Sequence, residues 1–175
     1  MWMPRIEPAP RAEAFGRVVC PRTIVPAAWA TAALLPRRRD AARLALGTTT
    51  AVLAANAIKH VVSRHRPRLL GSSPWDSFPS GHSAAASAYL FATALAAPRA
   101  YRISALVAAT AATMAVNALR ITAGEHWPGD VVAGNAIGVA ALGATELALA
   151  AVERRASATA REEDGGEPSG QKARR

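Results

Sequence analysis

Apolar stretches without any charged side chain interrupt this 175-residue chain five times, and they constrain its fold more than any other feature. Most of their borders are arginine or lysine. Alanine fills every face of these segments, and a helix that is apolar all round must be buried in a large core or in lipid. The stretches occupy residues 23–36, 44–58, 77–98, 103–119 and 131–145.

Most of these stretches are shorter than the roughly 20 residues that a helix needs to cross the hydrocarbon layer. Long basic side chains at the ends of a short helix can still reach the interface. Such side chains are Arg22, Arg43, Lys59, Arg99 and Arg102. The last stretch can also continue to residue 152.

The predicted fold is therefore all-α: a compact polytopic membrane bundle of about five transmembrane helices. Gly134 and Gly138, four positions apart, form a small-residue pair typical of closely packed membrane helices. The alternative is a soluble helical domain with an alanine-rich core. It is disfavoured because a chain of this length has too little polar helix surface to enclose five apolar helices.

Composition excludes several other classes of protein. The chain is 51% hydrophobic and 19% charged, so its body is not disordered. A single cysteine, Cys20, excludes an intramolecular disulfide and a multi-cysteine zinc site. Aromatic residues make up only 5%, too few for base-stacking platforms, and the +9 net charge is spread between the apolar runs. These features favour a membrane and predict no nucleic-acid partner.

The charge pattern also predicts the domain organisation. Residues 1–17 are proline-rich, lack the apolar core of a signal peptide, and are expected to be a flexible N-terminal segment. Residues 18–152 form the predicted transmembrane domain. Residues 153–175 have mixed charge with glycine and serine, and are expected to be a disordered tail.

If the helices alternate in direction, segments 59–82 and 120–130 lie on one face of the membrane. The other face then carries most of the arginines between the apolar runs, which makes it cytoplasmic by the positive-inside rule. These arginines are Arg37, Arg38, Arg39, Arg43, Arg99, Arg102, Arg154 and Arg155. The two unusually polar segments are therefore expected on the extracytoplasmic face.

The first of these segments has features of an anion site. Lys59 and Arg66 are seven residues apart, which places them on one helix face, and Pro67 should end that helix. Ser80 is suited to cap the next helix, and Gly81 allows a ligand to approach the backbone closely. A helix start presents free N–H groups to an anion.

The second segment adds Arg120, His126 and Asp130, while His82 follows Gly81 in the first. Three cations around a helix start suit a tetrahedral oxyanion such as phosphate. A neutral histidine can attack phosphorus, and a carboxylate can orient its ring and stabilise the charge that forms. A second, protonated histidine can donate to the leaving oxygen. This scheme requires no metal and no cofactor.

Three motifs carry a family resemblance. Lys59-x6-Arg66-Pro67, Pro79-Ser80-Gly81-His82 and Arg120-x5-His126-x3-Asp130 resemble, in order and spacing, the signature motifs of the type 2 phosphatidic acid phosphatase (PAP2) superfamily. That superfamily includes lipid phosphate phosphatases and vanadium haloperoxidases. Its third motif usually begins Ser-Arg, whereas Leu119 precedes Arg120 in this chain.

The resemblance implies a role for each matching residue. His126 would be the nucleophile, Asp130 its orienting partner, and His82 the general acid for the leaving group. The phosphoryl oxygens would be bound by Lys59, Arg66, Ser80, Gly81 and Arg120. The implied protein is a metal-independent membrane phosphatase that forms a phosphohistidine.

Several substrates and two other functions stay open. The resemblance admits phosphatidic acid, phosphatidylglycerol phosphate and polyprenyl diphosphate, and also the 5-phosphate of a decaprenyl-phosphoryl-phosphoribose. The alanine- and arginine-rich composition indicates a GC-rich bacterial genome, for which a lipid carrier of cell-wall synthesis is an attractive substrate. The alternatives of another class are a vanadium haloperoxidase and a non-catalytic lipid-phosphate binder. The expected partners are the lipid phosphate substrate and membrane lipids, with the oligomeric state open.

Polar and aromatic residues outside the motifs are given simpler roles. Four cationic or titratable neighbours would add a local positive field that attracts an anionic substrate: His60, Arg64, His65 and Arg68. Trp75 and Trp127 are expected at headgroup depth. Asp76 and Glu125 are close enough in sequence to the motifs to tune the site.

Overall fold

The fold comes from a computed structural model, which describes Gly16 and residues 18–67 and 75–165. Five α-helices form in these residues, and a short 3₁₀ helix at Arg99–Tyr101 leads into the fourth. The helices are α1 (Pro21–Ala33), α2 (Arg38–Val61), α3 (Gly81–Ala96), α4 (Arg102–Thr122) and α5 (Pro128–Gly165). The prediction of an all-α bundle of about five helices is confirmed.

Within the part of the chain that the structure describes, three stretches are long and apolar enough to cross a membrane: Arg38–Val61, Arg99–Thr122 and Pro128–Arg161. The other two helices are shorter, with 13 residues in α1 and 16 in α3. Helix α3 is the centre of the bundle, because α1, α2, α4 and α5 all pack against it. Large apolar side chains such as Leu53, Met114 and Leu147 point outward and are exposed, as expected for a surface that faces lipid.

The central packing depends on small residues. In α3, the side chains of residues 83–88 are all buried, and each is alanine or serine. A Cβ atom at Gly134 of α5 would overlap the Ser80 carbonyl oxygen, and one at Gly138 would overlap Ser87 Oγ. The predicted small-residue pair therefore lies where α3 and α5 approach most closely. This contact fixes the start of α5 against the start of α3.

Ion pairs join the helices at the end of the bundle where α2 and α4 begin. Arg39 of α2 lies 3.0 Å from both Glu146 and Glu153 of α5. Arg43 also pairs with Glu146, and with Asp40 one turn earlier at 2.9 Å. Helices α2 and α4 begin at this arginine-rich end, and they terminate at the opposite end of the bundle.

The last helix is longer than the sequence pattern predicts. It runs to Gly165, whereas the domain was predicted to end at residue 152 and a disordered tail to begin at 153. Alanine, arginine and glutamate dominate residues 153–163, and all three are strong helix formers. Residues 166–175 lie outside the described residues, as do residues 1–15 and 17 of the predicted N-terminal segment.

Candidate active site

The motif residues converge at the end of the bundle opposite the arginine-rich end. Lys59 lies in the last turn of α2, and Arg120 in the last turn of α4. His82 lies in the first turn of α3, and Asp130 in the first turn of α5. His126 lies in the turn between α4 and α5. The helix alternation therefore brings together residues that are up to 71 positions apart in sequence.

The described parts of the connection between α2 and α3, residues 62–67 and 75–80, pair with each other at this end. The Arg64 amide donates to the Trp75 carbonyl, and the Ser77 amide donates to the Arg64 carbonyl, both at 3.1 Å. This short parallel pairing places Arg66 beside Asp76. The sequence predicts that this helix ends at Pro67, whereas α2 ends at Val61. The loop, and not the helix, therefore positions Arg66.

The three predicted phosphate-binding cations each have a carboxylate or carbonyl partner. Lys59 Nζ donates to the Asp76 backbone carbonyl, and Arg66 Nε donates to Asp76 Oδ1 at 2.8 Å. Arg120 pairs with Glu125, whose Oε2 also lies 3.7 Å from Arg66 Nη1. Glu125 thus lies between two guanidinium groups.

Arg120 has a buried nitrogen that lacks a hydrogen-bond partner among the described residues. Its side chain is only 5% exposed, and the nitrogen is Nε. A buried guanidinium nitrogen without a partner is costly, and an oxyanion would satisfy it.

His126 has one ring nitrogen occupied and one left for chemistry. Its Nδ1 lies 2.8 Å from the Ser77 backbone carbonyl, which can only accept a hydrogen bond. The proton of a neutral ring therefore lies on Nδ1, and Nε2 has the lone pair. Burial, together with the positive charges of Arg66 and Lys59, lowers the pKa of His126 to about 3. The ring is neutral at pH 7, as a nucleophile requires.

The second histidine is close to the first. The ring centroids of His82 and His126 are 6.5 Å apart, and His82 Nε2 lies 3.2 Å from the Gly16 carbonyl. Gly16 is buried, and a Cβ atom there would overlap the Arg120 guanidinium. The chain before α1 therefore contacts the site, which the sequence pattern did not predict.

Asp130 was predicted to orient His126, but its direct contacts are with other groups. It accepts hydrogen bonds from Ser77 Oγ, from the Trp127 amide at 2.8 Å and from Arg64 Nη1 at 2.7 Å. Its Oδ2 lies 3.8 Å from His126 Nδ1, beyond hydrogen-bonding distance. Asp130 is fully buried and accepts a hydrogen bond from the Ser77 hydroxyl, while the Ser77 backbone carbonyl contacts the His126 ring.

Ser77 and Arg64 are the residues that sequence reasoning missed. Ser77 contacts His126 through its backbone carbonyl, a group that every residue has, so the sequence does not indicate this role. Arg64 was interpreted as part of a general positive field, whereas it pairs with Asp130. This pairing with a buried aspartate 66 positions later in the sequence becomes visible only in three dimensions.

Ser80 has the predicted capping role. It is the N-cap of α3, and its Oγ accepts hydrogen bonds from the Ser83 amide at 3.3 Å and from Ser83 Oγ at 3.0 Å. The Ser80 amide donates to the Asp130 carbonyl at 3.0 Å, which ties α3 to α5. A Cβ atom at Gly81 would lie 3.6 Å from Pro21 Cγ and 3.9 Å from Lys59 Cε, both ordinary contact distances.

The remaining neighbours stabilise the loop. Trp127 Nε1 donates to the His65 carbonyl at 2.8 Å, and the His65 and Trp75 rings are 3.5 Å apart. Arg68 lies outside the described residues. Asp76 is charged, because the Arg66 hydrogen bond lowers its pKa although burial opposes this shift.

A helical bundle with exposed apolar side chains on its outer faces, and with three cations around a buried histidine at one end, has the features of a membrane protein with a cationic site at its helix ends. A family model described as the PAP2 superfamily matches residues 40–152. The chain belongs to the PAP2 superfamily, as its three motifs predicted.

Two curated relatives are similar to about half of the chain. They are lipid A 1-phosphatases from Rhizobium johnstonii and Rhizobium etli, 38% and 37% identical over 98 residues. Each match covers 49% of this chain, which spans 38% and 40% of the length of these relatives. The crystal structure of LpxE from Aquifex aeolicus has the same fold, with a TM-score of 0.60 and 21% identity. That match covers 77% of this chain and 82% of the other.

Proposed function

We propose that this protein is a membrane phosphatase that removes phosphate from a lipid phosphate or diphosphate, without a metal, through a phosphohistidine. One observation carries the proposal: the buried His126 ring is neutral, is held at Nδ1 by Ser77, and lies within the field of Lys59 and Arg66. This arrangement leaves Nε2 as a nucleophile beside groups that bind a phosphoryl oxygen.

The first step transfers the phosphoryl group to the histidine. Lys59, Arg66 and Arg120 bind the nonbridging oxygens, and the phosphate displaces Glu125 from the two guanidinium groups. His126 Nε2 attacks phosphorus, the bond to the lipid oxygen breaks, and His82 donates a proton to that oxygen. The phosphorylated ring is cationic, and the buried Asp130 carboxylate at 3.8 Å stabilises it.

The second step releases phosphate. His82 is now neutral and takes a proton from water, whose oxygen attacks phosphorus as the P–N bond breaks. The three cations stabilise the charge in both transition states. Both histidines return to their starting protonation states, so the cycle is balanced.

The position of the site at the helix ends supports a lipid substrate. A phosphate bound there lies at headgroup depth while its tail remains in the bilayer. An apolar cavity of about 440 Å³ between α1, α3 and α4 includes Val18 and Val19, next to the chain that contacts the site. A soluble substrate gains nothing from such surroundings.

The relatives named lipid A 1-phosphatase favour a phosphorylated membrane lipid, and phosphatidic acid, phosphatidylglycerol phosphate and polyprenyl diphosphate belong to the same chemical class. Decaprenyl-phosphoryl-phosphoribose is the alternative within it. The positive-inside rule supports a cytoplasmic location for the arginine-rich end, and therefore an extracytoplasmic active site.

A panel of these lipid phosphates, assayed for phosphate release, tests the proposal. We expect release that is inhibited by vanadate, unaffected by EDTA and abolished by His126→Ala. His60→Ala is the matched control, because His60 is exposed at the end of α2 and no hydrogen bond or ion pair joins its side chain to the motif residues in the described part of the chain. Release that persists in His126→Ala would reject the mechanism, and stoichiometric binding without turnover would favour a binding protein. Halide oxidation by the vanadate-loaded protein would favour a haloperoxidase.

A further inference from the structure

A second charged cavity lies at the arginine-rich end, opposite the candidate active site. Its volume is about 550 Å³, and α2, α3, α4 and α5 all contribute to its wall. Four guanidinium and two carboxylate groups line it: Arg37, Arg39, Asp40, Arg43, Arg102 and Glu146.

Two of the arginines are committed to carboxylates. Arg39 pairs with Glu146 and Glu153, and Arg43 pairs with Glu146 and Asp40. Arg43 is only 13% exposed, so this pair is a fixed part of the helix packing. These two arginines account for every carboxylate at the cavity.

The other two arginines have no such partner. Arg37 and Arg102 form no ion pair within the described part of the chain, and Arg102 Nε is buried without a hydrogen-bond partner there. When Glu153 is counted with the lining carboxylates, four guanidinium groups face three carboxylates, leaving one excess positive charge. The cavity is therefore suited to a ligand with one negative charge.

The helix directions add to this preference. Helices α2 and α4 begin at this end, at Arg38 and Arg102, so the positive ends of both helix dipoles lie beside the cavity. Leu95, at the end of α3, contributes an apolar part of the wall. A cavity that is cationic, partly apolar and located at the ends of membrane helices fits a lipid headgroup better than a free ion.

We propose that this cavity binds the phosphodiester of an anionic phospholipid from the leaflet opposite the active site, with Arg37 and Arg102 contacting its oxygens. Guanidinium groups bind phosphate oxygens through two parallel hydrogen bonds, and the phosphodiester neutralises the excess charge. The site is separate from phosphatase chemistry, so it does not depend on the function proposed above.

Native mass spectrometry of the purified protein in detergent tests this proposal. Phosphatidylglycerol, phosphatidylcholine and inorganic phosphate are titrated separately, and phosphate also competes with bound lipid. We expect one retained phosphatidylglycerol and weaker retention of phosphatidylcholine. Arg37→Gln and Arg102→Gln should each weaken phosphatidylglycerol binding about tenfold, the effect of losing a charge-assisted hydrogen bond. Arg99→Gln is the control, because Arg99 lies at the same end but does not line the cavity.

Equal retention of the two lipids by the unmodified protein would overturn the proposal without any variant. Unchanged binding in both folded glutamine variants would also overturn it, as would an equal loss in Arg99→Gln. Displacement of phosphatidylglycerol by an equal concentration of inorganic phosphate would assign the cavity to a free anion instead of a lipid. Unfolding curves of the glutamine variants establish that any loss of lipid is local.

Discussion

The two ends of the bundle contain the same kinds of charged residue and arrange them differently. At the arginine-rich end, Arg39 and Arg43 pair with Glu146 across the α2–α5 contact, and the pairs join helices directly. At the opposite end, Arg66 and Arg120 share Glu125, which belongs to the turn between α4 and α5.

The difference between the ends comes from the connecting chain. The arginine-rich end has short connections, so its charges meet between helices. The other end has a long connection between α2 and α3 that folds inward and contributes Ser77 to the buried His126 ring. Two of the cations there, Arg66 and Arg120, pair with Glu125, and under the proposed mechanism a substrate phosphate replaces this carboxylate. Pairing between helices stabilises the bundle, and under the proposed mechanism pairing with a turn leaves the cations available to a substrate.

Removing one arginine from each end should give the sharpest contrast. Arg120→Gln is expected to lower kcat/KM for phosphate release by about 10²- to 10³-fold, because it removes a buried donor to the phosphoryl group. Arg43→Gln should leave kcat/KM nearly unchanged and lower the free energy of unfolding by about 1–3 kcal/mol. Steady-state kinetics and unfolding curves for both variants provide the measurement. Similar losses of activity in the two would contradict the division of roles.

Within the site, Asp130 should matter more than the serine it holds. Asp130→Asn is expected to lower kcat by about 10²-fold, as it removes the charge near the phosphorylated ring. Ser77→Ala should lower kcat by only about tenfold, since it loses the hydroxyl contact to Asp130 but keeps the carbonyl that holds His126. Single-turnover rates measure both effects. A larger loss in Ser77→Ala would make the serine hydroxyl, and not the carboxylate, the dominant group.

Acid should lower the free energy of unfolding through His126. The unfolded chain protonates this histidine near its ordinary value of about 6.5, whereas the folded chain does so only near 3. The stability contributed by the neutral ring is complete above about pH 6.5 and is lost as the pH falls toward 3, by at most about 1.4 kcal/mol per pH unit.

Unfolding curves from pH 7 to about 4 check this dependence, which covers the range of an ordinary histidine. His126→Gln should have a shallower slope than the unmodified protein, and His60→Gln should not. The phosphatase rate should also pass through a maximum at acid pH, because the neutral His126 and the protonated His82 are both needed and burial lowers the pKa of His82 to about 4. Identical slopes in the two variants, or a flat rate profile, would contradict this assignment.

A smaller effect is expected from the contact between α3 and α5. Gly134→Ala should lower the free energy of unfolding by about 1–3 kcal/mol, because the added methyl group overlaps the Ser80 carbonyl. Gly143→Ala is the matched control in the same helix, since a Cβ atom there meets nothing within 4 Å and should be neutral or slightly stabilising. Equal effects would mean that α3 and α5 do not pack this closely.

The helices and part of the candidate site could be predicted from the sequence. Apolar runs and basic borders predicted the helices, and alternation of those helices predicted that Lys59, His82 and His126 lie at one end. The position of Arg66 and the contacts of Asp130 were not predictable, because a loop of irregular conformation determines both. The helix beyond residue 152 was missed because charge was taken as evidence of disorder, although these residue types also favour a helix.

The central claim is that His126 Nε2 becomes covalently phosphorylated. Rapid acid-free quenching with a lipid phosphate labelled at phosphorus, followed by peptide mapping, tests it most directly. We predict that His126 is labelled and that the label turns over, both in the unmodified protein and in His60→Ala. We predict no label in His126→Ala. Label on another residue, or full turnover with no phosphorylated protein at any time, would contradict the account.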